Sequence, residues 1–203
     1  MTLLFATTNP NKLREVRPLL GDLPVEVKTL ADVEPVPEPD ETCDTFWENA
    51  RGKAFAYATA TGCTVVAEDS GLEIEALDGQ PGVQSARFLG PNVPYAERFA
   101  EIYRRLEAVP RAARQARFVT ALVVVDGDRV LFETEAWIDG EIAAAPAGDH
   151  GFGYDPIFYD PPLGRTTAQL TLDQKTAVSH RARAFRDLAR WLRQGELCHS
   201  QLA

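Results

Sequence analysis

Glu68 and Asp69 close the apolar run Val65-Val66-Ala67 and are followed at once by Ser70-Gly71. Adjacent carboxylates at a strand end supply hard oxygen donors that can hold a divalent cation or take a proton from a water. Glu38, Glu41 and Glu48 add further acids from the preceding segment. Two or three oxygens from this set would suit Mg²⁺, which keeps part of its water shell and shares itself with substrate phosphates. On a continuing strand Glu68 and Asp69 point to opposite faces, so they cannot both serve one ligand directly. Asp69, beside a turn formed by Ser70 and Gly71, is the better placed of the two. Glu48 is explained by a capping box with Thr45, and Glu38 by solvation in an acidic, Pro-rich loop.

Cationic and polar groups complement these acids. Thr7, Thr8, Asn9, Pro10, Asn11 and Lys12 form a polar loop between a strand and a helix. Free amides at a helix start favour a phosphate there, and Lys12 adds charge. This is not a Walker loop, since the glycines and the GK[ST] ending are missing, and an ordinary Asn-capped loop would read the same way. Lys53 follows Glu48 by five residues on an alanine-rich helix, where a lone lysine is commonly solvated. In the segment from Gly151 to Phe158, Phe152 and Tyr154 could stack on a flat ring, Gly153 allows close approach, and Asp155 can accept from a ring or ribose donor. A packed aromatic turn is the plainer account of the same residues. Near the C-terminus, Lys175 and Ser179 share a helix face, but Arg181 is displaced by about 240° from Lys175. Either the helix breaks between them or these residues serve different sides. His180, next to Arg181, suits hydrogen bonding to a nucleobase.

The elements that must position these groups alternate at first. Residues 2–6 read as a buried strand, and Leu13, Val16, Leu19 and Leu20 repeat at helical spacing up to Gly21. A strand is expected over 25–30, a Pro-rich loop over 33–44, and a helix from the Thr45 cap to about residue 60, stopped by Gly62. Residues 65–67 form the next strand, Gly79-Gln80-Pro81-Gly82 a turn, and 95–109 a helix with Phe99, Ile102, Tyr103 and Leu106 on one face. Two β-rich runs, 117–125 and 129–138, flank Asp126-Gly127-Asp128 as a hairpin, which makes the sheet mixed. Residues 146–162 read as a shaped loop, and 171–194 as a final helix with Gly195 past its end. No repeat or linker divides the chain, so 1–203 reads as a single α/β domain with a mixed sheet.

Composition narrows the function. The chain has 203 residues, 45% hydrophobic and 25% charged, enough for a sizeable core. No run approaches the apolar length of a membrane helix and no signal segment is apparent, so a cytoplasmic location without membrane partners is expected. A net charge of -9 disfavours nucleic acid as a partner but not a small anion seen by a few lysines. Cys43, Cys63 and Cys198 show no disulfide or zinc spacing and read as buried or incidental thiols.

Taken in order, Thr7-Thr8-Asn9-Pro10-Asn11-Lys12, Thr45-Phe46-Trp47-Glu48-Asn49-Ala50 with Lys53, Glu68-Asp69-Ser70-Gly71-Leu72, Pro81-Gly82 with Ser85-Ala86-Arg87, Gly151 to Phe158, and Ser179-His180-Arg181 resemble the inosine triphosphate pyrophosphatase family, also called Ham1-like. The resemblance spans nearly the whole chain. It implies Mg²⁺-dependent hydrolysis of dITP, ITP and XTP to monophosphate and pyrophosphate, in a homodimer whose subunits have an elongated mixed sheet flanked by helices and two lobes with a central cleft. By the same resemblance Asp69 is the general base, Glu41 and Asp69 are metal-side carboxylates with Glu68 a helper, and Thr7 to Lys12, Lys53 and Ser70 meet the triphosphate. Phe152, Gly153, Tyr154, Asp155, Lys175, His180 and Arg181 match the positions that hold base and sugar. Thr8 stands where the family often has Gly, and Glu68 where it often has Asp. A pyrophosphatase for pyrimidine or modified nucleotides, or a nucleotide-binding module without turnover, are the alternatives.

Overall fold

The structure is a computed structural model that describes residues 2–21 and 23–200, with side chains as far as Gln194. The side chains of Cys198 and His199 lie outside the described residues. Seven strands form one sheet in the order β2-β1-β3-β4-β5-β6-β7, where β1 is Thr2–Phe5, β2 Glu26–Thr29, β3 Thr64–Ile74, β4 Gln115–Asp126, β5 Arg129–Ile142, β6 Phe158–Asp160 and β7 Arg165–Thr166. β1 pairs in parallel with β2 and β3, whereas β5–β6 and β6–β7 are antiparallel, so the sheet is mixed as the sequence implied. The helices are α1 Pro10–Leu20, α2 Phe46–Thr61, α3 Tyr95–Arg105, α4 Leu172–Val178 and α5 His180–Ser200.

Two compact units divide the chain. The first draws on residues up to Asp69, on Thr120–Ala136 and on the chain from Arg181, and the second on Ser70–Val119 and Trp137–His180. The first unit's core holds Leu3, Phe5, Val66, Leu122, Val124, Phe185 and Leu188. These come from β1, β3 and β4 with one face of α5, and each such side chain removed from water contributes about 1.5–3 kcal/mol. The second unit has its own core of Leu72, Ile74, Ile102, Leu106, Phe118, Ile138 and Phe158.

Three local expectations are corrected. β3 does not end before a Ser70-Gly71 turn but runs through both residues to Ile74, because Leu72 and Ile74 are fully buried in the second core and hold the chain extended. The expected helix over 171–194 is two helices. Ser179 has ψ 152, its N–H donates to the Lys175 carbonyl at 2.8 Å, and the helix restarts at His180. Gly195 does not stop that helix, which continues to Ser200. Cys43 is exposed and Cys63 half-buried, and both are free thiols. Gly62 does end α2, with φ 67 and its N–H bonded to Ala58, as a left-handed cap requires.

Candidate active site

α2 explains much of the first unit's chemistry. Its buried side chains are Phe46, Asn49, Ala50, Lys53, Ala54, Tyr57 and Ala58, one stripe at helical spacing. Two of those seven are polar and face inward. The Thr45 hydroxyl accepts from the Glu48 N–H at 3.1 Å and donates to the Glu48 carboxylate at 2.8 Å, so Glu48 is spent on the helix start. Lys53 donates to the Glu68 carbonyl at 3.1 Å and forms an ion pair with Glu41. Burial would lower the Lys53 pKa, but Glu41, Asp69 and Glu68 outweigh it and raise it, so this amine stays charged.

Glu68 is 1% exposed. Its carboxylate accepts from Arg181 Nε at 2.7 Å and from the Thr120 hydroxyl at 2.8 Å, and Lys12 Nζ lies 3.6 Å away. Arg181 reaches onward to Glu15 at 2.5 Å. Burial opposes ionisation of Glu68, yet Arg181 and Lys12 together hold its carboxyl far below the usual range. Asp69 differs. Burial raises its pKa, the nearby charge of Lys12 only partly offsets this, and Glu41 adds to the rise. Asn49 Nδ2 donates to Asp69 Oδ2 at 3.1 Å. Lys12 itself is lowered, first by burial, with Glu68 opposing.

The start of α1 departs from the sequence expectation. Asn9 Oδ1 accepts from the N–H groups of Asn11 and Lys12, at 2.9 and 3.4 Å, so those amides are already capped rather than free. Thr7 Oγ1 accepts from the Asn9 N–H, Pro10 occupies the first helical turn, and Thr8 donates to Glu38 at 2.7 Å. The cationic donor in this loop is the Lys12 side chain.

The second unit gathers Phe152, Gly153, Tyr154, Asp155, Lys175 and His180, with Ser70 on β3. Asp155 is 2% exposed and serves the loop itself: it accepts from the Phe152 N–H at 2.7 Å and from the Thr167 hydroxyl at 2.9 Å, and it pairs with Lys175. Gly151, at φ 73, is required here because a Cβ would collide with that carboxylate. Lys175 Nζ lies 5.1 Å from the centre of the Phe152 ring, and the His180 ring stacks on Phe118 at 5.1 Å. Tyr154 is buried and its hydroxyl donates to the Ser85 carbonyl at 2.9 Å, so it packs the loop. Arg181, which the motif order grouped with His180, is held in the first unit with Glu15 and Glu68.

Glu15, Asn49 and Thr120 are buried polar partners that the sequence reading did not single out. Only Asn49 left a trace, as a polar residue four positions before Lys53 in an otherwise apolar stripe. Among the described residues no three His, Cys, Asp or Glu side chains are grouped to hold a metal by themselves. Glu41 and Asp69 still offer an all-oxygen pair. Such a pair fits a hard cation that completes its shell with water and phosphate, and it does not fit zinc.

These arrangements define a mixed-sheet α/β protein in which a buried carboxylate with a raised pKa stands near the charges of Lys12 and Lys53. The chain belongs to the Ham1 family, whose model matches residues 3–191. The dITP/XTP pyrophosphatase of Geobacillus kaustophilus is 45% identical over 186 residues, spanning 92% of this chain and 91% of that protein. That of Syntrophobacter fumaroxidans is 43% identical over 188 residues, 93% of this chain and 80% of the other. Among solved structures, a HAM1 protein from Coxiella burnetii has a TM-score of 0.87 at 38% identity, covering 96% of this chain and 99% of its own. The Staphylococcus aureus Ham1 protein gives 0.85 at 36% identity, covering 97% and 100%.

Proposed function

We propose that this protein hydrolyses non-standard purine nucleoside triphosphates (dITP, ITP and XTP) to the nucleoside monophosphate and pyrophosphate, with 1–203 acting as one catalytic domain. The observation that carries this reading is the pair of opposite carboxylates on β3. Glu68 is locked as an anion by Arg181 and Lys12, while burial lifts the Asp69 pKa. A carboxylate with a raised pKa is a better proton acceptor near neutral pH. The names of the relatives at 43–45% identity support the substrate class.

In the proposed reaction a water oxygen attacks the α-phosphorus and its proton passes to the Asp69 carboxylate. The bond from the α-phosphorus to the bridging oxygen breaks, and that oxygen leaves on pyrophosphate. Lys12 and Lys53 meet charge on the triphosphate, with Thr7, Thr8, Asn9, Asn11 and Ser70 as further polar donors. Glu41 and Asp69 would hold Mg²⁺, which when bound neutralises phosphate charge. Phe152 offers a face for the base, Lys175 and His180 offer donors, and Asp155 orients both Phe152 and Lys175. A 6-oxo purine can accept from such donors, whereas a 6-amino group would leave them unpaired.

We take the working form to be a cytoplasmic homodimer without nucleic-acid or membrane partners, a reading supported by the family resemblance and by the net charge. Among the described residues no helix is long and apolar enough to cross a membrane. Sedimentation at working concentration tests the dimer. For the reaction, a nucleotide panel with Mg²⁺ and identification of both products decides. Monophosphate and pyrophosphate from dITP and XTP, with ATP, dTTP and UTP much slower, is the expected result. Diphosphate plus orthophosphate, or equal rates on ATP and dITP, would overturn it.

A further inference from the structure

Asn49 is 3% exposed, and each atom of its amide has a defined partner. Its Oδ1 accepts from the Cys43 N–H at 3.0 Å, and its Nδ2 donates to the Cys43 carbonyl at 3.3 Å and to Asp69 Oδ2 at 3.1 Å. This pattern admits one orientation. The atom facing an N–H must accept, and the atom facing a carbonyl and a carboxylate must donate. Cys43 lies two residues after Glu41, in a stretch that has no helix or strand of its own from 33 to 45. A loop without a backbone ladder is placed by the side chains that grip it. Such grips here include Thr8 on Glu38, Lys53 on Glu41, and Asn49 on Cys43.

We propose that Asn49 is a positioning residue for the reaction: one amide fastens the Glu41 loop and, with its other N–H, sets the rotation of the Asp69 carboxylate, so that the two carboxylates are presented together. The inference rests on the reading of Asp69 as base and of Glu41 with Asp69 as the metal side. Asn49 acts through the Asp69 carboxylate that it holds. Its effect is orientation, as for the partners that hold metal-binding carboxylates elsewhere, whose loss costs about 10–100-fold in affinity or activity.

The test compares Asn49→Ala, Asn49→Asp and Asp69→Asn with the wild-type chain. With dITP at saturating Mg²⁺, Asn49→Ala is expected to lose about 10–100-fold in kcat with KM for the nucleotide nearly unchanged. Mn²⁺ binding to the nucleotide-free protein, followed by electron paramagnetic resonance, should weaken about tenfold or more. Asn49→Asp keeps the shape and the bond from the Cys43 N–H but cannot donate to Asp69. Assayed at alkaline pH, where the added carboxyl is ionised, it should lose at least as much kcat even when its melting temperature is near wild type. Wild-type kcat in Asn49→Asp overturns the proposal. So does an Asn49→Ala protein that melts earlier yet keeps kcat and Mn²⁺ affinity per folded molecule. Asp69→Asn separates the two readings: if it too turns over normally, the catalytic reading has failed, whereas an inert Asp69→Asn beside a fully active Asn49→Ala removes the role of Asn49 alone.

Discussion

Arg181 Nε donates to Glu68 Oε1 at 2.7 Å, with both side chains almost wholly buried and Glu15 held by the same guanidinium. One residue further along β3, burial raises the Asp69 pKa where Arg181 and Lys12 lower that of Glu68. A carboxylate held as an anion by two cations and one pushed towards its neutral form by burial therefore sit side by side in the chain.

That pairing fixes how stability depends on acid. The folded pKa of Glu68 lies below its ordinary value of 4.5, so the stability it contributes is fully present above that pH and is lost as the pH falls through the depressed folded value. Arg181→Met leaves Glu68 and Glu15 buried without their shared cation. It should lower stability at neutral pH by about 3–5 kcal/mol and shrink the extra loss in acid. Urea unfolding of both proteins over a pH series checks this, and parallel stability curves would refute it.

Asp69 gives the opposite sign. Its folded pKa is raised above 3.8, so ionisation destabilises the fold progressively as the pH climbs from the unfolded to the folded value, and fully above it. Asp69→Asn keeps the shape, still accepts from Asn49, and removes the charge. In chelator at neutral pH the variant should melt higher, by about 2–4 °C for each kcal/mol relieved, while its turnover is lost. A lower melting temperature would contradict the electrostatic account.

How much of this was legible in the sequence depends on whether the signal was local. The cap at Thr45, the stop at Gly62 and the helical repeat of α1 are short-range patterns, and they appear where spacing puts them. The extension of β3 through Ser70 and Gly71 was not legible, because it is imposed by burial of Leu72 and Ile74 in a core assembled from distant segments. The break at Ser179 was visible as a conflict in the spacing of Lys175 and Arg181; the helix does break, and the two side chains are held in different units. Glu15 and Thr120 were hidden for a different reason. Glu15 sits 166 residues from Arg181, and Thr120 sits 52 from Glu68 inside a run of β-formers where threonine is ordinary. Asp155 was singled out in the sequence, but its obligations to Phe152, Thr167 and Lys175 needed coordinates.

Those obligations give the last prediction. Asp155 accepts from the Phe152 N–H and pairs with Lys175 through Oδ2, while Oδ1 accepts from Thr167. In Asp155→Asn the amide oxygen can still serve Phe152, and the amide nitrogen can donate to the Thr167 hydroxyl, which both donates and accepts. The loop keeps its shape and Lys175 loses its counter-charge. Since the proposed chemistry is handled by Asp69, kcat should change little while KM for dITP rises by about tenfold, the worth of one charge-assisted contact. Asp155→Ala, which releases Phe152 as well, should raise KM further. If Lys175→Met and Asp155→Asn raise KM by independent factors when combined, the two residues do not act as a pair. A double variant no worse than Lys175→Met alone is the result the buried contact requires.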